Sequence, residues 1–201
     1  MIESIPYITI FLLCTIGVIS VSGFSNYSVI EYMRHYPYQE HRDKSYYRWL
    51  SCGFVHGSYI HLILNAFVLW QFGFVIEKMY IAKFGSVPGM SIYLSAYLLI
   101  LILSCVPTYI KHKNNSSYAS IGASGAISGI LFIYIYHFPN AILSLYGIIP
   151  LPAFAMGILY LVYSWWAAKQ SRDGIDHDAH YYGAVMGLVI AVLIDRLPGL
   201  S

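Results

Sequence analysis

Charge is scarce in this chain. Lys, Arg, Asp and Glu make up 10% of its 201 residues against 58% hydrophobic ones, and mean hydropathy is +0.62. A water-soluble domain carries about a quarter of its residues charged, so that class is excluded. Excess charge of one sign is lacking too: a formal net charge of +2 gives no argument for nucleic acid as a partner. Cysteine is limited to Cys14, Cys52 and Cys105. The number is odd, no CxxC occurs, and Cys14 and Cys105 sit in apolar runs; all three read as unpaired, with neither disulfide nor metal site. No basic stretch precedes the first apolar run and no small-residue cleavage pattern follows it. Ile5 to Ser22 therefore reads as a retained membrane span rather than a signal peptide. Linkers, repeats and low-complexity tracts are missing, which predicts one domain over residues 1–201.

Long apolar runs fill the rest. Their lengths predict an all-α polytopic membrane protein with spans at 5–24, 57–78, 90–110, 122–138, 144–167 and 179–197. The longest polar segment, NYSVIEYMRHYPYQEHRDKSYYRWLSCG (26–53), separates the first two. Its many aromatics place it at or in the membrane interface. Pro150 and Pro152 disfavour regular helix at the start of the fifth span. Basic residues are uneven. Arg34, Arg42, Lys44, Arg48, Lys111, Lys113, Lys169 and Arg172 lie on the side of the long loop, and Lys78, Lys83 and Arg196 on the other. By charge bias alone the long loop faces the cytoplasm.

The polar residues inside the spans coincide in depth. Spans two, four and six run in one direction. Measured back from their far ends at about 1.5 Å per residue, His61, Ser124 and His180 lie roughly 24, 21 and 22 Å along. In a hydrocarbon core of about 30 Å, Ser124 is then roughly 10 Å below the surface. His61 and Asn65 share a helix face at i, i+4. Gly125 and Gly129 form a GxxxG pair, and His180, Gly183 and Gly187 form a stripe, so spans four and six can pack backbone to backbone with Ser124 against His180. Alone, a serine between glycines is a packing residue and a single intramembrane histidine is a hydrogen-bond partner. His56, His61, Asn65, Ser124 and His180 on parallel helices at matched depth favour a functional site. No acid lies at that depth, so the arrangement reads as a Ser–His dyad: Ser124 the nucleophile, His180 its base. The Ser124 N–H at a helix start, with Asn65 and His61, would stabilise an oxyanion.

These residues carry a resemblance. HGSYIHLILN (56–65), GASG (122–125) and AHYYGAVMG (179–187), in this order and on these spans, resemble the motifs of the rhomboid intramembrane serine proteases in their minimal six-span bacterial form. Tyr47-Arg48-Trp49 stands where the family has its Trp-Arg loop motif, with Tyr47 in place of the usual Trp, and Glu77-Lys78 fits the end of span two. The resemblance implies a six-helix rhomboid bundle with a membrane-embedded first loop, in the bacterial cytoplasmic (inner) membrane. It implies Ser124 and His180 as catalytic residues, and His61, Asn65 and the Ser124 N–H as oxyanion donors. Gly122, Gly125, Gly183 and Gly187 belong to the supporting motifs. Arg48 corresponds to a structural arginine, Glu77 to a structural acid, and His56 to a supporting histidine. His177 falls just outside span six and is expected to face solvent in a structural role.

Two positions depart from the pattern. Many relatives have an aromatic residue four after the nucleophile, stacked on the base; here Ser128 stands there. The usual Ala-His-Leu-Gly-Gly is replaced by Tyr181 and Tyr182 after His180. Ser128 is expected to hydrogen-bond locally, and one of the two tyrosines to supply the bulk. The resemblance puts the N-terminus in the cytoplasm, against the charge bias. It also implies no cofactor, a lipid bilayer as surroundings, transmembrane protein segments as substrates, and a small residue before the cut. A catalytically silent rhomboid-like protein that binds membrane helices is the alternative. A metal enzyme using His56, His61, His177 and His180 is disfavoured, because HExxH and intramembrane carboxylates are missing.

Overall fold

The computed structural model describes residues 5–145, 149–170 and 173–198. Among these, four helices are long and apolar enough to cross a membrane: Tyr7–Ser25, Tyr59–Phe84, Ser86–His112 and His177–Asp195. The first is α1. The second comprises α5 (Tyr59–Val68), a π turn at Leu69–Gly73 and α6 (Phe74–Phe84). The third is α7 and the fourth α10. Between α7 and α10 lie α8 (Ser124–His137) and α9 (Ala153–Gln170). Each of the six expected apolar segments contains a helix, with the second and third extending past their expected ends. At 14 residues, α8 is roughly 21 Å long, short of the hydrocarbon thickness of about 30 Å.

The fifth segment needs a correction. Its described start is not helix: β1 (Ile142–Leu145) pairs antiparallel with β2 (Ile149–Pro152), Ile142 opposite Pro152 and Leu145 opposite Ile149. Helix α9 starts only at Ala153. Pro150 and Pro152 explain it, since neither has an N–H for a helix. Two residues apart on a strand, their nitrogens face the same edge, and a two-stranded ribbon has an edge to leave unpaired. The all-helical reading thus holds for the bundle but not for this hairpin.

The chain wears its apolar residues on both sides. Inside, Leu12, Ile16, Ile76, Tyr97, Ile100 and Ile130 are buried. Outside, Ile60, Ile63, Val162, Trp165 and Leu193 are exposed, a surface that only a lipid environment makes favourable. Helices α8 and α10 approach most closely. A Cβ built on Gly183 would fall onto the carbonyl oxygen of Gly125, and one on Gly187 onto that of Gly129. Two small-residue stripes therefore set the distance between the helices that carry Ser124 and His180.

Glu77 is fully buried on α6 and answers the free N–H groups at the start of α1. It accepts from Ile8 N (2.8 Å), Thr9 N (2.7 Å) and Thr9 Oγ1 (2.7 Å). A carboxylate at a helix N-terminus is favoured by both hydrogen bonding and the dipole. The long loop folds into α2 (Tyr27–Met33), α3 (Pro37–Asp43) and α4 (Arg48–Ser51). Arg48 Nη1 holds it closed by donating to the carbonyls of Glu31 (2.8 Å) and Arg34 (3.1 Å). The buried Glu40 is a second centre, meeting His35 Nδ1 (2.8 Å) and accepting from Tyr36 N (2.6 Å) and Trp49 Nε1 (2.8 Å). His35 then exchanges backbone hydrogen bonds of 2.9 Å with Ser120, joining the loop to the segment ahead of Ser124. Tyr27, Tyr32, Tyr46 and Tyr47 stay exposed on this loop, as side chains suited to a membrane interface do.

Candidate active site

Three local features set up the site. Ser58 caps α5 by accepting from His61 N at 3.2 Å, which places His61 in the first turn and Asn65 one turn on. Gly122 has φ +119°, a conformation open to glycine, and its N–H donates to the Cys52 carbonyl at 2.9 Å. A Cβ there would also lie 2.8 Å from both Cε1 and Nε2 of His61, so Gly122 lets that ring come close. The chain then enters α8 at Ser124, whose backbone N–H is in the first turn and has no acceptor within the helix.

The third feature is the start of α10. Asp176 caps it by accepting from Ala179 N at 2.9 Å. The same carboxylate accepts from Thr108 Oγ1 on α7 and Ser120 Oγ on the segment before α8, each at 2.9 Å. It therefore knots α7, α8's approach and α10 together, one turn ahead of His180. Burial, followed by the charge of Asp176, pushes the neighbouring Tyr118 phenol above its ordinary value, so it stays neutral.

The two helices bring their polar residues into contact. His180 Nε2 lies 2.7 Å from Ser124 Oγ. For the hydroxyl to donate, that nitrogen must offer its lone pair, with the proton on Nδ1. A cavity of about 670 Å³ opens on the pair, lined by His61, Asn65, Ser120, Ser124, Asp176 and His180. A smaller one, about 180 Å³, continues past Ser124 to Asn65, Ser128, Leu131 and Tyr160. Asn65 Nδ2 donates to the His61 carbonyl at 2.9 Å, and an amide carries a second N–H besides. Buried His56 sits behind: its Nδ1 is 2.9 Å from Ser20 Oγ, and its Nε2 accepts a long bond (3.5 Å) from Ala123 N. Its ring meets that of His61 edge-on, centroids 4.8 Å apart.

Ser124, His180, His61, Asn65, His56, Gly122 and Gly125 are thus brought together, with Gly183 and Gly187 on the contact between α8 and α10. Arg48 and Glu77 lie apart from it, in the loop and at the start of α1. Cys14, Cys52 and Cys105 are free thiols, with Cys52 and Cys105 Sγ 3.8 Å apart. Among the described residues, no group of three His, Cys, Asp or Glu is placed to hold a metal ion.

Two expectations fail here. His177 does not face solvent; it is 4% exposed. Three residues before His180, it shares that helix face and sets its ring edge-on to the His180 ring at 5.7 Å, with Nε2 3.1 Å from Asp173 Oδ2. Nor do Tyr181 or Tyr182 supply the bulk beside the base. They pack on each other at 5.2 Å, and Tyr182 is exposed, because neighbours along a helix diverge by about 100°. The aromatic side chain that lies roughly parallel to the His180 ring is Tyr160 of α9, centroids 6.4 Å apart and planes 28° apart. Ser128 does bond locally: Oγ donates to the Ser124 carbonyl at 2.7 Å and also meets the Tyr160 hydroxyl.

Residues 43–196 match the model of the Rhomboid domain. The chain belongs to the rhomboid family. It is 28% identical over 150 residues to Rhomboid protein 1, mitochondrial, of Saccharomyces cerevisiae, covering 73% of this chain and 41% of that protein. It is 29% identical over 102 residues to Rhomboid protease GlpG of Haemophilus influenzae, covering 51% and 47%. With the Presenilin-associated rhomboid-like protein A, mitochondrial, of Danio rerio it shares 30% over 148 residues, covering 67% and 34%. The chain spans less than half the length of each of these relatives. As a member of this rhomboid family with helices able to cross a membrane, it is an integral membrane protein.

Proposed function

We propose that this rhomboid is an intramembrane serine endopeptidase that cuts transmembrane segments of other proteins with the Ser124–His180 dyad. The observation that carries this reading is the 2.7 Å contact between Ser124 Oγ and His180 Nε2 beneath an open cavity. In the first step the Ser124 hydroxyl proton passes to His180 Nε2 while Oγ bonds to the carbonyl carbon of the substrate. The carbonyl oxygen becomes an oxyanion, facing the Ser124 N–H, the Asn65 amide and the His61 ring. On collapse the C–N bond breaks and His180 returns the proton to the leaving amine. Water then attacks the acyl-enzyme, with His180 again the base, and releases Ser124. The resemblance to the minimal form adds a bacterial cytoplasmic membrane and a site opening outward.

A peptide bond in an intact helix has its carbonyl tied to an N–H four residues on. The substrate is therefore a membrane segment with Gly, Pro or polar residues near its outer end, able to unwind into the cavity. It enters beside α9, whose outer face carries exposed Phe154, Ile158 and Val162. Purified protein in liposomes should cleave such a segment and take a fluorophosphonate label. Replacing the helix-breaking residues of a cleaved substrate by Leu should slow cleavage about tenfold or more, since a helical carbonyl is unavailable. A protein that neither takes the label nor cleaves any membrane segment would favour the silent helix-binding alternative.

The oxyanion group gives a separate expectation. Asn65→Ala should lower kcat by roughly 10²-fold with KM little changed, because a donor is lost that acts mainly in the transition state. His61→Ala should fall in the same direction and by less where Asn65 compensates. If both variants turn over like wild type, the oxyanion lies elsewhere.

A further inference from the structure

The base of the dyad is touched by a helix that carries none of the proposed catalytic groups. From α9, Tyr160 lays its ring nearly parallel to the His180 imidazole, 6.4 Å away at 28°. Its hydroxyl meets Ser128 Oγ, which bonds the Ser124 carbonyl at 2.7 Å. The two hydroxyls are satisfied in one direction: Tyr160 O–H donates to Ser128 Oγ, and Ser128 O–H donates to Ser124. One side chain of α9 therefore meets the base through its face and the nucleophile's own peptide through a single serine. Ser128 is buried and Tyr160 half-buried beside the smaller cavity, so this link is in low dielectric.

We infer that Tyr160 is a positioning residue for the Ser124–His180 dyad, and that the Tyr160–Ser128–Ser124 chain is what keeps its ring in place. The inference rests on the protease reading. An imidazole turns easily about its last bond, and a broad two-fold torsion alone does not hold it. Here one face meets the Tyr160 ring while the edge-on His177 stands nearby. When His180 takes the Ser124 proton, a ring held in register keeps Nε2 aimed first at Ser124 Oγ and then at the leaving amine. The help is thus greatest where the barrier lies, which makes the effect one on kcat rather than on substrate binding. A substrate that enters beside α9 must leave Tyr160 seated when the bond is cut.

The test is a set of variants assayed for kcat, KM and melting temperature on one cleaved transmembrane substrate in liposomes. Tyr160→Leu removes ring and hydroxyl together and should lower kcat about thirtyfold, with KM within about twofold, as a loosened base does. Tyr160→Phe keeps the ring and should lose only about threefold, as should Ser128→Ala, each breaking the same hydrogen-bonded link. Because the link is shared, the double variant should also lose about threefold rather than about ninefold. Two milder losses that multiply, or a folded Tyr160→Leu with wild-type kcat, would overturn the role. Should Tyr160→Leu fail to fold, the cycle of Tyr160→Phe and Ser128→Ala decides alone. A wild type that neither cleaves nor labels removes the protease reading and this inference with it; an active wild type with indifferent variants removes this inference only.

Discussion

Alanine at Ser124 should abolish cleavage and covalent labelling by a fluorophosphonate, and alanine at His180 should cost turnover about 10⁴-fold or more. Neither half works without the other. A serine hydroxyl at neutral pH is a poor nucleophile until a base takes its proton, and the base has nothing else to activate within reach. The double variant should therefore be no worse than either single one, since the two residues act as a unit. Stability should barely move. Both side chains are only partly buried and border a cavity, so truncating them leaves little packing to lose. The measurements are turnover of a membrane substrate, labelling of each variant, and melting temperature. Labelling that persists in Ser124→Ala would place the nucleophile elsewhere, and a His180→Ala enzyme cutting at wild-type rate would remove the base.

What could be read from the residues, and what could not, follows from contrast. A polar group in an apolar run is costly unless it is used, so His61, Asn65, Ser124 and His180 stand out from the helices around them. Their shared depth then needs only a fixed rise per residue. The glycine stripes on α8 and α10 were legible for the same reason, small residues among large ones. Tyr160 offers no such contrast. It lies in a segment with Tyr163, Trp165 and Trp166, where one aromatic among several marks nothing, and only the packing of α9 shows which ring meets His180. Glu40 was hidden in the opposite way, a carboxylate in a loop full of charge, whose burial depends on a loop folding around it. Asp176 had a signal that went unused: an Asp directly before a helix is a common cap. The hairpin had one too. Pro150 and Pro152 pointed to irregular backbone, yet the apolar composition of 142–152 suits a strand as well as a helix start, and composition alone does not separate them. For His177 the error was a boundary. Starting α10 at His177 instead of Ala179 turns a residue outside the helix into one on the His180 face.

The second large effect concerns the contact that sets the distance between the two halves of the dyad. Gly183→Ala adds one methyl group, and that methyl has nowhere to go. The atom it meets is the Gly125 carbonyl oxygen, with the Gly125 Cα and carbonyl carbon just behind. These are backbone atoms, so no rotamer change relieves the clash. The helices must separate instead. Gly183 is three residues after His180 and Gly125 immediately follows Ser124, so the separation opens at the 2.7 Å contact itself. Overpacking of this kind costs about 1–3 kcal/mol of stability. A misplacement near 1 Å in the reacting groups costs about 10²-fold in rate, so turnover should fall further than the melting temperature suggests. Gly187→Ala meets the Gly129 carbonyl one turn away and should destabilise similarly, with a smaller loss of rate because its clash is farther from the dyad. Gly17→Ala on α1 is the control, for a Cβ there meets nothing within 4 Å. It should leave turnover unchanged and, by reducing backbone freedom in a helix, stabilise by about 0.5–1 kcal/mol. The comparison separates a packing effect from a general intolerance of alanine. Gly183→Ala with the turnover and melting temperature of Gly17→Ala would show that α8 and α10 do not meet through these residues, and the geometry that joins Ser124 to His180 would fall with them.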